Sequence, residues 1–218
     1  MLTEKTSNLK HPNFIDAIDS LIAPIENKND DILEQLQPDL LVSIGGMIVS
    51  KKIKNYLRKY PPKQHWHIHP KKAYNTFYIL TDHIKMNPQS FFEHLQNNTK
   101  NFAESSYAKS VLSLYKQNQL KGSDYLKQIS FSDLKAFEII FKYIPDLMQL
   151  QLANSSTIRY AQLFDLPKTV SVFCNRGTSG IDGSSSTAIG AAYISNNPTL
   201  LITGDLSFFY DINALWNN

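Results

Sequence analysis

Three short β-rich runs in the second half of the chain, at residues 147–152, 169–174 and 199–203, each give way to a segment dense in Asn, Ser, Gly and charge. A buried strand that ends in polar residues and leads into helical spacing is the repeating unit of an α/β sheet with parallel strands. Open sheets of this kind bind ligands beyond the carboxyl ends of their strands. The pattern therefore predicts an α/β fold and directs attention to residues 154–159, 175–183 and 204–207.

The first half carries the same alternation. Leu40, Leu41, Val42 and Ile44 form a strand, Gly45-Gly46 a structural turn, and a helix runs from about Ser50 to Lys59 until Pro61-Pro62 stops it. A strand at residues 65–69, another at 77–80, and a helix opened by Asn87-Pro88 and holding Phe91, Phe92 and Leu95 follow. Residues 97–130 turn polar, with one helix around 107–115, and read as a linker. The pattern restarts with Ser132 as N-cap and Leu134, Phe137, Phe141 and Ile144 on one helical face. Two open parallel-sheet units, both incomplete, are expected over residues 1–126 and 127–218. Residues 211–218 read as a helix with Ile212, Leu215 and Trp216 on one side and no cap, so the chain is expected to be a piece of a longer protein.

Composition narrows the function classes. With 218 residues, 42% of them hydrophobic, the chain can bury a core, and its net charge of +3 is spread along helices, which predicts no nucleic-acid partner. The sequence has no apolar N-terminal leader and no window near the ~18 apolar residues of a membrane span. One cysteine, Cys174, excludes an intrachain disulfide, and a cytoplasmic location is expected. That cysteine has no histidine nearby in sequence to activate it and reads as a small buried side chain. His65, His67 and His69 alternate onto one face of their strand, with no acid or cysteine to complete a metal set, so a polar edge strand is expected.

Helix N-termini at strand ends favour anions, and an aspartate in the same place favours a cation. Gly204-Asp205 fits Mg²⁺, whose oxygen coordination joins one or two carboxylates to substrate phosphates; alone, the dipeptide is more often an N-capped turn. Arg159 and Arg176 fit carboxylate binding or surface ion pairs, and Gly177, Gly180 and Gly183 fit a tight βα connection.

Taken as a set, NRGTSGIDG at residues 175–183, Ser186-Thr187-Ala188, and PTLLITGDLSFFYDINAL at 198–215 resemble the succinyl-enolpyruvyl-hydroxycyclohexene-carboxylate synthases, the MenD family. Asn154-Ser155 with Arg159 resembles the same pattern, and residues 38–52 do so more loosely. The resemblance implies part of a central domain (1–126) and the start of a diphosphate-binding domain (127–218). It implies a transferase of menaquinone biosynthesis that uses thiamine diphosphate and Mg²⁺ or Mn²⁺ to decarboxylate 2-oxoglutarate and add the succinyl unit to isochorismate. By the same resemblance Asp205 coordinates the metal, Gly204 and Ser207 line the diphosphate pocket, and Ile181 buttresses the cofactor. Ser155, Arg159 and Arg176 meet substrate carboxylates, and Lys51, with Lys52 beside it, stands where the family places a basic substrate-facing residue.

The family completes its metal site with an asparagine two dozen or more residues past the Gly-Asp. Asn217-Asn218 stands only 12 residues after Asp205 and is rejected for that part. The glutamate that activates the thiamine ring belongs to a further domain of a homodimeric or homotetrameric parent, so these 218 residues alone are expected to be inactive. The sequence also admits two other readings: a different thiamine-diphosphate 2-oxo-acid decarboxylase or synthase, and a noncatalytic α/β assembly module.

Overall fold

The computed structural model describes residues 1–26, 30–100 and 105–216. In chain order the elements are α1 (Ile18–Ile22), α2 (Asp30–Gln35), β1 (Leu40–Ile44), α3 (Lys51–Lys59), β2 (Gln64–Ile68), β3 (Asp82–Ile84), α4 (Pro88–Asn98) and α5 (Ser106–Gln128). They continue as α6 (Asp133–Lys142), β4 (Gln149–Leu152), α7 (Ser156–Ala161), β5 (Ser171–Cys174), α8 (Ser184–Ile194), β6 (Thr199–Ile202) and α9 (Asp205–Tyr210), with single 3-10 turns at Lys5–Ser7 and Ile212–Leu215. No helix among the described residues is long and apolar enough to cross a membrane.

The chain forms two compact units, Leu21–Asn118, and Met1–Ser20 together with Gln119–Asn218. Each holds a three-stranded, all-parallel sheet, in the order β1-β2-β3 in the first and β5-β4-β6 in the second. The α/β class with two open parallel sheets is what the alternating pattern predicts.

In the unit Leu21–Asn118, the Ser50 hydroxyl accepts the Ile53 N–H (3.1 Å) and starts α3, which buries Ile53, Tyr56 and Leu57. Asn87 caps α4 through the Gln89 N–H, with Pro88 at the first helical position. Two expectations change here. No strand forms at 77–80: Phe77 is buried, Tyr78 takes φ 63°, and the Leu80 N–H bonds the Asn75 side chain, so the chain loops before β3. The histidine-bearing β2 is the central strand of its sheet, not an edge, with β1 and β3 paired on either side.

Those histidines are buried because a neighbouring strand supplies a polar partner. His65 is 0% exposed and His67 3%, and Ser43 of β1 places its hydroxyl 2.7 Å from His65 Nε2 and 2.9 Å from His67 Nδ1. A serine hydroxyl has one proton, so it donates to one imidazole and accepts from the other. The far nitrogens, His65 Nδ1 and His67 Nε2, are buried without a hydrogen-bond partner. Burial, and then the neighbouring His67, push His65 down from 6.5 to about 4. Among the described residues no group of three or more His, Cys, Asp or Glu is arranged to hold a metal ion.

In the other unit, Leu150, Val170, Val172 and Ile158 form the centre of the core, and Phe141 of α6 packs between Phe137 and Phe164 at 5.9 and 5.8 Å. Ser132 caps α6 by accepting the Lys135 N–H. The first 20 residues lie with this sheet, where the sequence pattern places them with the first. The physical reason is edge pairing. Asn8 donates through Nδ2 to the Val172 carbonyl (3.0 Å) and accepts the Val172 N–H on Oδ1 (2.7 Å), so its amide occupies a stretch of the open edge of β5. Lys10 donates to the Pro167 and Val170 carbonyls beside it, and the buried Lys5 pairs with Asp16 at 2.6 Å.

The polar stretch read as a linker contains the 23-residue helix α5. Residues 211–216 do not continue as an α-helix but turn once as 3-10, and Asn217-Asn218 lie outside the described residues.

Candidate functional site

In the second sheet, Leu152 on central β4 pairs with Cys174 on β5 and with Ile202 on β6, so the three carboxyl ends are level. The segments that follow, from Ala153, Asn175 and Thr203, leave the sheet at one edge. Strand order adds what the sequence could not supply: from β4 the chain moves to β5 on one side, then crosses to β6 on the other. That reversal is a topological switch point, where loops depart in opposite directions and leave a crevice. The loop after β6, bearing Gly204 and Asp205, borders it.

Asp205 is the first residue of α9 and is exposed; its Oδ1 accepts the adjacent Leu206 N–H at 2.8 Å. A Cβ built on Gly204 meets nothing within 4 Å, and its φ is an ordinary −79°, so neither packing nor backbone conformation in this chain demands glycine there. Ser207, one turn into α9, is buried and donates to the Ile181 carbonyl. The structure thus joins Ile181 and Ser207, residues 26 apart in sequence.

Ser155 precedes α7 with φ 70° and ψ −129°, a left-handed conformation strained for any residue with a Cβ. Its side chain makes no capping bond and is exposed, as is Arg159 four residues on. Arg176 is half-buried; its Nη1 donates to Asn154 Oδ1 at 2.6 Å, while Nε is buried without a partner. Lys51 lies in the other compact unit, exposed at the first position of α3, and Lys52 beside it is ion-paired with Glu26. Cys174 is half-buried and its thiol is pushed up to about 11, chiefly by burial, so it is held protonated.

Two residues outside the expected set organise this edge. Asn154, 3% exposed, donates to the Asn175 and Gly180 carbonyls, both at 2.7 Å, and accepts from Arg176 and from the Cys174 thiol. Asp211 is buried beside the N-terminus of α8 and accepts from both the N–H and the hydroxyl of Ser186 at 2.6 Å. Burial raises its carboxyl, but the Ser186 hydroxyl and the N–H groups of Ser186 and Ser185 outweigh that and hold it below the ordinary value. Asp211 thereby fills the positive end of α8 from within the chain, whereas α9 starts with its own exposed aspartate. The only sequence signal for Asp211 is the Ser184-Ser185-Ser186 run, whose helix-starting N–H groups need an acceptor.

Chemically, the edge combines two guanidinium groups, the exposed carboxylates of Asp182 and Asp205, and a glycine facing open space. That donor set suits an anionic ligand together with a hard cation.

No family model matches the chain. Curated proteins do match it over its full length. The 2-succinyl-5-enolpyruvyl-6-hydroxy-3-cyclohexene-1-carboxylate synthase of Flavobacterium johnsoniae is 51% identical over 218 residues, all of this chain and 39% of that protein. The synthase of the same name from Flavobacterium psychrophilum is 54% identical over the same shares. That from Bacteroides thetaiotaomicron is 38% identical over 99% of this chain and 38% of its own length. The chain spans about two fifths of the length of the curated relatives it matches.

Proposed function

The chain belongs to the 2-succinyl-5-enolpyruvyl-6-hydroxy-3-cyclohexene-1-carboxylate synthase family, and we propose that it contributes the diphosphate and metal edge of such an enzyme. The protein that carries it would decarboxylate 2-oxoglutarate and add the succinyl unit to isochorismate as a homodimer or homotetramer, as the family resemblance implies. The observation that carries the reading is the position of Asp205: an exposed carboxylate at a helix start, on a loop at the switch point of a parallel sheet.

The residues fit the implied cofactor. Open space at Gly204 admits a diphosphate close to the backbone, and Asp205 is one carboxylate, as Mg²⁺ or Mn²⁺ needs when phosphate oxygens supply other ligands. When bound, thiamine diphosphate supplies the carbanion chemistry that no side chain of this chain provides. Asp205 would hold the metal, Gly204 and Ser207 would line the pocket, and Ser207 would fix the Ile181 segment through its hydrogen bond. Ser155, Arg159 and Arg176 would receive substrate carboxylates, with guanidinium forks suited to planar anions. Lys51 is proposed to face substrate. In domain terms, residues 1–126 would be part of the central domain and 127–218 the start of the diphosphate-binding domain, with residues 1–20 packed on the latter's sheet.

The test uses the full-length protein that contains these residues. Turnover of 2-oxoglutarate with isochorismate should require both Mg²⁺ and thiamine diphosphate, and Asp205→Ala should lower kcat/KM by about a hundredfold or more, since a metal ligand is lost. Unchanged turnover in that variant would remove Asp205 from the metal site.

A further inference from the structure

The geometry points to Asn154 as a positioning residue that sets the Arg176 guanidinium for an anionic substrate, an inference that rests on the proposed reaction. All the hydrogen-bonding capacity of its amide is spent. Nδ2 donates to the Asn175 and Gly180 carbonyls at 2.7 Å, and Oδ1 accepts from Arg176 Nη1 at 2.6 Å and from the Cys174 thiol at 3.5 Å. The amide can sit only one way round, because the reverse would aim its NH₂ at a guanidinium and its oxygen at two carbonyls. At 3% exposure it is also shielded from competing water.

The consequence is a clamp between two strand ends. Asn154 follows β4, while residues 175–180 follow β5, and the two Nδ2 bonds tie the beginning and end of that segment to the central strand. A second amide, Asn175, ties the segment onward to Gly183 and Thr187 at the start of α8. Arg176 therefore stands on a braced loop and is held by one nitrogen. Its Nη2 is neither buried nor hydrogen-bonded, so the guanidinium keeps an accessible donor unspent. A carboxylate acceptor would complete it; Asn154 orients the fork without consuming it.

The experiment compares full-length wild type, Asn154→Ala, Asn154→Asp, Arg176→Ala and Asn154→Ala/Arg176→Ala. Thermal melts report folding, calorimetry reports thiamine diphosphate affinity with Mg²⁺, and steady-state kinetics give KM for both substrates. Amide exchange is measured over residues 175–181. Asn154→Ala should raise KM for one carboxylate substrate about tenfold, change kcat less than threefold, leave cofactor affinity unchanged, and speed exchange in the loop. In the Arg176→Ala background the same substitution should add nothing to KM. Asn154→Asp keeps the acceptor for Arg176 but neutralises its charge and removes both donors. It should raise the same KM and also speed loop exchange, and it decides the matter if the alanine variant does not fold.

An unchanged KM in a folded variant, additive effects with Arg176→Ala, or wild-type loop exchange would overturn the assignment. If the wild-type protein shows no turnover of these substrates while the variants still speed loop exchange, the proposed reaction fails and the bracing role of Asn154 stands.

Discussion

Acid should weaken the Leu21–Asn118 unit through His65. Its imidazole is fully buried on the central strand, hydrogen-bonded by Ser43 on one side and without a partner on the other. Protonation would place an N–H with no acceptor, and a charge, beside His67; His67 is itself lowered by burial and then by His69 and His83. The folded value for His65 lies near 4 against an ordinary 6.5. A depressed value means the unfolded chain binds the proton more readily. The stabilising contribution is thus complete above about pH 6.5 and is lost as pH falls toward 4. The difference of about 2.5 units corresponds to ~3 kcal/mol over that window. Trp66 lies between the two histidines on β2, and Trp216 is the other tryptophan, 80% exposed. Denaturant titrations followed by fluorescence in a Trp216→Phe background, from pH 8 to pH 4.5, would therefore report on this sheet. His65→Gln retains a polar partner for Ser43 but does not titrate. Its stability should fall less steeply with acid than that of the parent, the curves converging or crossing by pH 4.5. Parallel curves would refute the reasoning.

Two further substitutions probe the other unit. Asp211→Ala removes the carboxylate that accepts the Ser186 N–H and hydroxyl at the start of α8, and should cost about 1–2 kcal/mol by denaturant titration near neutral pH. Because the Asp211 carboxyl is held below 3.8, the difference from wild type should persist at pH 5 and shrink only as pH falls through that value and below. Ser155→Gly relieves the φ 70° strain and should raise stability by about 0.5–1 kcal/mol, read as a higher Tm, whereas Ser155→Ala, which keeps the Cβ, should not.

Much of the fold was legible because its signals are local. Ser50, Asn87 and Ser132 announce α3, α4 and α6 through side-chain oxygens that reach an N–H two or three residues on, and the short β-rich runs at β4, β5 and β6, each followed by polar or Gly-rich residues, identify three strands, although β4 itself alternates Gln with Leu. Non-local partners were not legible. The polar alternation of His65, His67 and His69 reads as an edge strand, and only Ser43, 22 residues from His65, lets that pattern occupy the middle of a sheet. The Gly-Asp and Asn-Arg-Gly segments were identifiable as strand-end chemistry. Which loops flank the switch point depends on strand order, which no single segment encodes. Asn154 and Asp211 stand within segments the sequence marks, but their bracing roles were not legible for the same reason, since their partners lie 20 to 26 and 25 residues away.

The Asn8 amide on the β5 edge carries a consequence for how the molecule forms. Asn8 and Val172 are 164 residues apart, and the whole Leu21–Asn118 unit lies between them in sequence. On a ribosome, that intervening unit can emerge and collapse while the leading strap still has no strand to pair with. The sheet that bears Asp205 must then recapture a segment synthesised far earlier, a closure of high contact order. Until it does, the β5 edge is an unprotected template for other chains, so the hazard of misassembly is concentrated between the synthesis of β5 and the return of the strap. Displacing the strap should accordingly show itself first in the yield of soluble protein.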